Sequence, residues 1–163
     1  MDASSLAEEI VKKALLKGCD MAEVFVRTSK RLSVEAKDRR VEALESSKDF
    51  GIALRVIKNR KLGFSFTTNF EEAGNMVNTA VEGAEWTAPD DYVDVADYKP
   101  PSEVMILDED IKNIKEDDVI KNALSLEMAA LDFDARIKKI RKAEIALAEA
   151  DTTIFNSKGV NFS

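Results

Sequence analysis

The chain has 163 residues, 45% hydrophobic and 34% charged, with a formal net charge of −7. It contains no histidine and one cysteine, Cys19, which excludes Ser-His and Cys-His nucleophile pairs, an internal disulfide and a tetrahedral zinc site built from nitrogen and sulfur ligands. The acidic surface repels phosphate backbones, so nucleic-acid binding would need a local basic patch.

In chain order, Ser5 and Glu8 have the spacing of a capping box. Leu6, Ile10, Val11, Ala14 and Leu15 then recur at helical spacing, and Gly18 ends the helix. No apolar run reaches the roughly 18 residues of a membrane span. The start MDASSLAEEI lacks the basic-then-apolar order of a signal peptide. Together with the lone cysteine, these features read as a cytosolic protein.

Ala22, Val24 and Val26 alternate with Glu23, Phe25 and Arg27, and Leu32, Val34 and Ala36 alternate with Ser33, Glu35 and Lys37. Period two with β-branched residues predicts strands. Asp38-Arg39 is the expected turn into a third strand over 40–46, whose Glu and Ala content lowers its β propensity.

The next stretch, FGIALRVIKNRKLGFSFTTN, reads as a hairpin. Phe50, Ile52, Leu54 and Val56 share one strand face, and Leu62, Phe64 and Phe66 share one face of the next. Pairing Ile57 with Leu62 would put these two sets on opposite sides. An odd-numbered loop such as Asn59-Arg60-Lys61, or a bulge, is therefore expected, with both apolar sets buried. Gly51 and Gly63 would then lie on the other face, open to a close approach.

Asn69 is the expected N-cap of a second helix, with Glu72 at the capping-box position. Ala73, Met76, Val77, Ala80, Val81 and Ala84 form its stripe, Trp86 lies near its end and Pro89 stops it. The stretch TAPDDYVDVADYKPP reads as a connecting loop, with a short helical turn near Asp108. A third helix begins at Asp117 and Asp118, where the helix dipole favours anions. Its apolar side is Val119, Ile120, Ala123, Leu124, Ala130 and Leu131. The last segment suits either helix or strand up to Ala150. Thr152 to Phe155 then reads as a strand closed by the turn Asn156-Ser157-Lys158-Gly159. The fold class is α+β: an antiparallel curved sheet with two to three helices packed on one face.

Candidate sites are few. Arg55, Lys58, Arg60 and Lys61 make a basic hairpin tip, read as a solvated turn because no exposed stacking aromatics are expected beside it. Asp90, Asp91, Asp94 and Asp97 lack EF-hand spacing and read as a connecting loop. Trp86, Tyr92 and Tyr98 flank that loop and are the candidate partner-binding residues, since aromatics are enriched at interface hot spots. Cys19 follows a helix end, where nothing lowers its pKa.

The order of these pieces resembles the opening of the TldD/PmbA family, once called modulators of DNA gyrase. The matching residues are Gly18 to Val24, Gly51 to Val56 and Gly63 to Thr68. WTAPDDYVDVADY, AALDFDARI and IFNSKG look more like the PmbA (TldE) branch. The resemblance implies a two-domain, metallopeptidase-like parent whose zinc motif, His-Glu-x-x-x-His, lies on the TldD-type subunit. No position here matches that motif, so no catalytic or metal-binding residue is carried over, and the chain is expected to be inactive alone and to hold no cofactor.

The resemblance further implies an N-terminal domain or a shortened homologue, with residues 1–86, a linker 87–115 and residues 116–163. Its implied partners are a TldD-like or PmbA-like subunit and, for the complex, unfolded peptides, with no membrane. Two alternatives stand beside it: a free-standing protein-binding module using the hairpin face, and direct association with DNA, which the net charge disfavours.

Overall fold

A computed structural model describes residues 2–102, 104 and 106–163; Glu103 and Met105, inside the expected linker, lie outside the described residues. The elements are α1 (Ala3–Leu16), β1 (Met21–Lys37), β2 (Arg40–Lys58), β3 (Lys61–Thr67), α2 (Ala73–Glu85), α3 (Glu116–Asp132), β4 (Ala143–Asn156) and β5 (Asn161–Phe162). The five strands form one antiparallel sheet in the order β3-β2-β1-β4-β5. This is the expected α+β class. The chain divides into two compact units, one of residues 1–28, 49–102 and 150–163, the other of residues 29–48 and 103–149.

In the first unit, Leu6, Ile10 and Val11 of α1 and Met76, Val77 and Ala80 of α2 are buried with Val24 and Val26 of β1 and Ile52, Leu54 and Val56 of β2. Helical spacing on the helices and period two on the strands bring one face of each element to this core. α1 begins two residues before the expected Ser5 cap: Asp2 is its N-cap and makes no side-chain capping bond. The Leu6 amide bonds to the Asp2 carbonyl instead, at 3.0 Å. Leu15 stays exposed. Gly18, at φ +79°, ends the helix as expected.

The strands expected as four are two long ones. Only Asp38-Arg39 interrupts them, with φ +54° and +61°, the left-handed pair of a two-residue hairpin turn. Segments with the same period and no Gly or Pro between them have no reason to break.

The second hairpin differs from its expectation. Asn59 and Arg60, at φ +54° and +64°, form another two-residue turn, and Ile57 pairs with Leu62, Val56 with Gly63 and Leu54 with Ser65. There is neither an odd loop nor a bulge in this register. Gly63, Ser65 and Thr67 therefore face the core, while Phe64 and Phe66 point away from it.

The packing of α2 accounts for this register. A Cβ on Gly63 would lie 1.9 Å from the Ala80 carbonyl oxygen, so the helix backbone sits where only glycine leaves room. Gly63 is thus on the core face, opposite to expectation, whereas a Cβ on Gly51 would meet nothing within 4 Å.

Asn69 caps as predicted, but it caps a 3-10 turn (Phe70–Glu72) ahead of α2, accepting from the Glu71 amide at 3.0 Å. Glu72 does not reach back to Asn69; it accepts from the Thr67 hydroxyl at 3.2 Å. Thr67 in turn accepts the Asn69 amide at 3.0 Å.

In the second unit, Val119 and Ala123 of α3 pack with Val34 and Ala36 of β1 and Ala143 of β4. The ambiguous last segment is a strand from Ala143, with Ile145 and Leu147 half-buried at period two. The expected turn near Asp108 is a 3-10 turn (Glu109–Asn113) capped by Asp108, which accepts from the Asp110 amide at 3.0 Å. Asp118 accepts from the Lys115 amide at 3.3 Å at the start of α3.

Candidate interaction surface

β3 is the edge of the sheet. Its outward residues, Leu62, Phe64 and Phe66, stand opposite Ile57, Arg55 and Ala53 of β2. Phe64 is 57% exposed and Phe66 71%, with ring centroids 6.3 Å apart. Phe25 of β1, alternating with buried Val24 and Val26, also lies on the outer face and is exposed. Large apolar side chains grouped on an open sheet edge make this face the candidate interaction surface. The strand's alternation was legible, but its inward direction was not: the two-residue turn reverses it.

The basic tip is a turn, and its side chains are engaged. Arg60 forms an ion pair with Asp91, and its carbonyl accepts the Asp90 amide at 2.8 Å. Lys61 Nζ donates to the Glu85 carbonyl at 3.0 Å and Lys58 Nζ to the Lys17 carbonyl at 3.3 Å. The Asn59 amide donates to Asp20 Oδ2 at 2.6 Å, and Arg55 pairs with Glu23 at 2.9 Å.

The acidic loop serves as counter-charge. Asp91 faces Arg60, and Lys158 bridges Asp94 and Asp97 at 2.6 and 3.1 Å. The Lys158 hydrogen bond, followed by one from the Val95 amide, holds the Asp94 carboxyl below its ordinary pKa; Asp94 and Asp97 raise that of Lys158. Asn156, buried at the β4–β5 turn, donates to the Ala96 carbonyl at 2.8 Å and accepts the Lys158 and Val160 amides at 2.9 and 3.1 Å. One side chain therefore shapes the turn and holds the loop.

Of the candidate partner-binding residues, Trp86 is the C-cap of α2 and 89% exposed, and Tyr92 is 93% exposed. Tyr98 is 53% exposed and stacks on Phe162 at 5.9 Å. Among the described residues no ring contact joins the three. Burial raises the pKa of the Cys19 thiol, with the nearby Lys58 charge opposing it.

Glu127 escaped the sequence reading. It is buried on α3, four residues beyond Ala123 on the same stripe, and its carboxylate accepts the Asp38 and Arg39 amides at 2.7 and 2.9 Å. The available signal was a carboxylate in line with Val119 and Ala123 at i, i+4 spacing.

No group of three or more His, Cys, Asp or Glu side chains is placed to hold a metal among the described residues. With no histidine and one thiol, the chain does not fit a zinc centre of the His-Glu-x-x-x-His kind. No helix is long and apolar enough to cross a membrane among the described residues.

Strands β1 to β3 and helix α2, with the residues that shape the second hairpin, lie in a stretch with known counterparts: residues 22–84 match PmbA/TldA metallopeptidase domain 1. The metalloprotease PmbA homolog of Haemophilus influenzae is 30% identical over 166 aligned residues, spanning 99% of this chain and 32% of that protein. An uncharacterized protein of Methanocaldococcus jannaschii is 26% identical over 157, spanning 94% of this chain and 35% of that one. The crystal structure of TldE from Thermococcus kodakarensis shares the fold at a TM-score of 0.84 and 16% identity, over 96% of this chain and 36% of that one. The TldD/PmbA resemblance read from the sequence is borne out over residues 22–84, and the chain spans about a third of the length of these relatives.

Proposed function

We propose that this chain is a non-catalytic N-terminal domain of a TldD/PmbA-type metallopeptidase, or of its PmbA-like partner subunit. Its role is in subunit assembly and in walling a chamber where unfolded peptides are cleaved in the cytoplasm. The PmbA-like assignment is favoured by the Haemophilus influenzae relative, a metalloprotease PmbA homolog. The observation that carries the assembly role is the exposed pair Phe64 and Phe66 on the edge strand. Aromatics centred in an interface supply much of its binding free energy, about 2 kcal/mol or more for a hot-spot residue. Zinc would belong to the catalytic subunit, and the ion-paired hairpin tip offers little to nucleic acid.

The test is co-purification with the TldD-type subunit of the same organism, read by light scattering. The native chain is expected to form a complex and the Phe64→Ser/Phe66→Ser variant to bind at least tenfold more weakly, with its circular dichroism unchanged. Equal binding by the variant overturns the assembly role. Separately, the chain mixed with zinc and an unfolded peptide is expected to leave the peptide intact; chelator-sensitive cleavage refutes the non-catalytic assignment.

A further inference from the structure

In the second unit a groove of about 250 Å³ crosses the strands at Lys30–Leu32, Ser46–Lys48 and Leu147–Glu149, with the 3-10 turn at Ile111 and the following Ile114 along it. Leu32, Ile111, Ile114 and Leu147 make its lining apolar. Four cations, Lys30, Arg31, Lys48 and Lys112, line it against one carboxylate, Glu149. Arg31 is committed to Glu144 at 3.4 Å and Lys112 to Glu109 at 2.9 Å. Lys30 and Lys48 form no ion pair among the described residues, and both are exposed.

We infer that this groove binds an acidic, apolar-bearing peptide segment in extended form. Two uncommitted ammonium groups on a chain of net charge −7 make a local field of the opposite sign, which attracts carboxylates and repels bases. The apolar floor adds burial for side chains between those carboxylates. An extended strand places alternate side chains on one face, matching a shallow groove that crosses several strands. The volume falls below the roughly 300–1,000 Å³ of enclosed small-molecule pockets, which favours a segment lying across the surface. This site is distinct from the Phe64–Phe66 surface and independent of the assembly role.

The test is fluorescence anisotropy of labelled ten-residue peptides with the 163-residue chain. Three peptides are compared: alternating Leu and Glu, alternating Leu and Lys, and alternating Ser and Glu. The Leu/Glu peptide is expected to bind at least tenfold more tightly than either other peptide, and to weaken as salt rises from 50 to 300 mM. Lys30→Glu/Lys48→Glu should lower its affinity at least tenfold. Ile114→Ser, at a partly exposed position, should lower it several-fold. Unchanged circular dichroism of the variants keeps the readout on binding. Comparable binding of the Leu/Lys peptide, or no response to the double charge reversal, overturns the electrostatic part. Comparable binding of the Ser/Glu peptide overturns the apolar part, and no binding by any peptide overturns the site.

Discussion

Replacing Glu127 by Ala tests how the second unit holds its β1–β2 turn. The turn places two non-glycine residues, Asp38 and Arg39, in the left-handed region. Each such residue costs about 1–2 kcal/mol. The Glu127 carboxylate, itself buried, receives both of their amides, at 2.7 and 2.9 Å. Hydrogen bonds to a charged group contribute about 1.5–3 kcal/mol each, so two sum to about 3–6 kcal/mol. Two effects offset part of that loss. The alanine variant no longer buries a charge, and the exposed turn lets water reach the freed amides. The expected net loss is about 2–4 kcal/mol, or about 5–15 °C in Tm for a chain of this size. Glu127→Gln keeps the shape but turns an NH2 group toward one of the donors, and should lose about half as much.

Two measurements check this: urea unfolding followed by circular dichroism, and hydrogen exchange at the Asp38 and Arg39 amides of the turn, which should lose protection before β1 does. An alanine variant within about 0.5 kcal/mol of the native chain refutes the reasoning, as does a glutamine variant indistinguishable from it. Arg39→Gly supplies the converse. It removes left-handed strain without touching the amide that Glu127 receives, so it should be neutral or stabilising by up to about 1 kcal/mol.

A methyl group at position 63 would collide with the Ala80 carbonyl oxygen, a backbone atom, so Gly63→Ala should destabilise by about 3 kcal/mol or more and displace α2. Gly51→Ala, with open space around its new Cβ, should instead be neutral or gain up to about 1 kcal/mol; thermal melts of the two variants decide, and equal melting refutes the close approach. Asp94 has a folded pKa below its unfolded value of about 3.9, so the stabilisation it contributes is present above that value and is lost as pH falls through the folded pKa. The Val95 and Tyr98 resonances should therefore shift as pH drops below about 4, and Lys158→Met, which removes the larger lowering interaction but leaves the Val95 amide bond, should move that transition to higher pH; loop resonances that stay constant until global unfolding, or a transition that Lys158→Met leaves in place, refute the link.

How much of this was legible depends on whether a feature is set by neighbours in sequence or by distant ones. The three helices and the Asp38-Arg39 turn follow from local periodicity and turn chemistry. So does the Asn156–Gly159 turn, with Gly159 at φ +90°. The cap of α1 was misplaced because Ser5 and Glu8 have the right spacing inside a helix that had already begun. Glu127 was missed for a different reason. Its partners lie 88 and 89 residues away, and no local rule couples a helix carboxylate to that turn.

The second hairpin carries the most consequence for function. Read alone, Leu62, Phe64 and Phe66 are the apolar face of a strand, and burying them is what hydrophobicity demands. The competing demand comes from α2, where Ala80 sits against Gly63 closely enough to exclude any side chain. Turning β3 over would expose Gly63, bury Phe64 and Phe66, and push the helix away from the sheet. The close helix–sheet contact and the tight two-residue turn favour the same register, and both oppose the strand's own polarity. What remains is an edge strand with two phenylalanines toward solvent, a local conflict that isolated packing does not relieve. Such conflicts collect at functional surfaces, where a second surface completes the burial. That is the physical argument for the proposed assembly role, in which a partner surface would cover the outward side chains of β3.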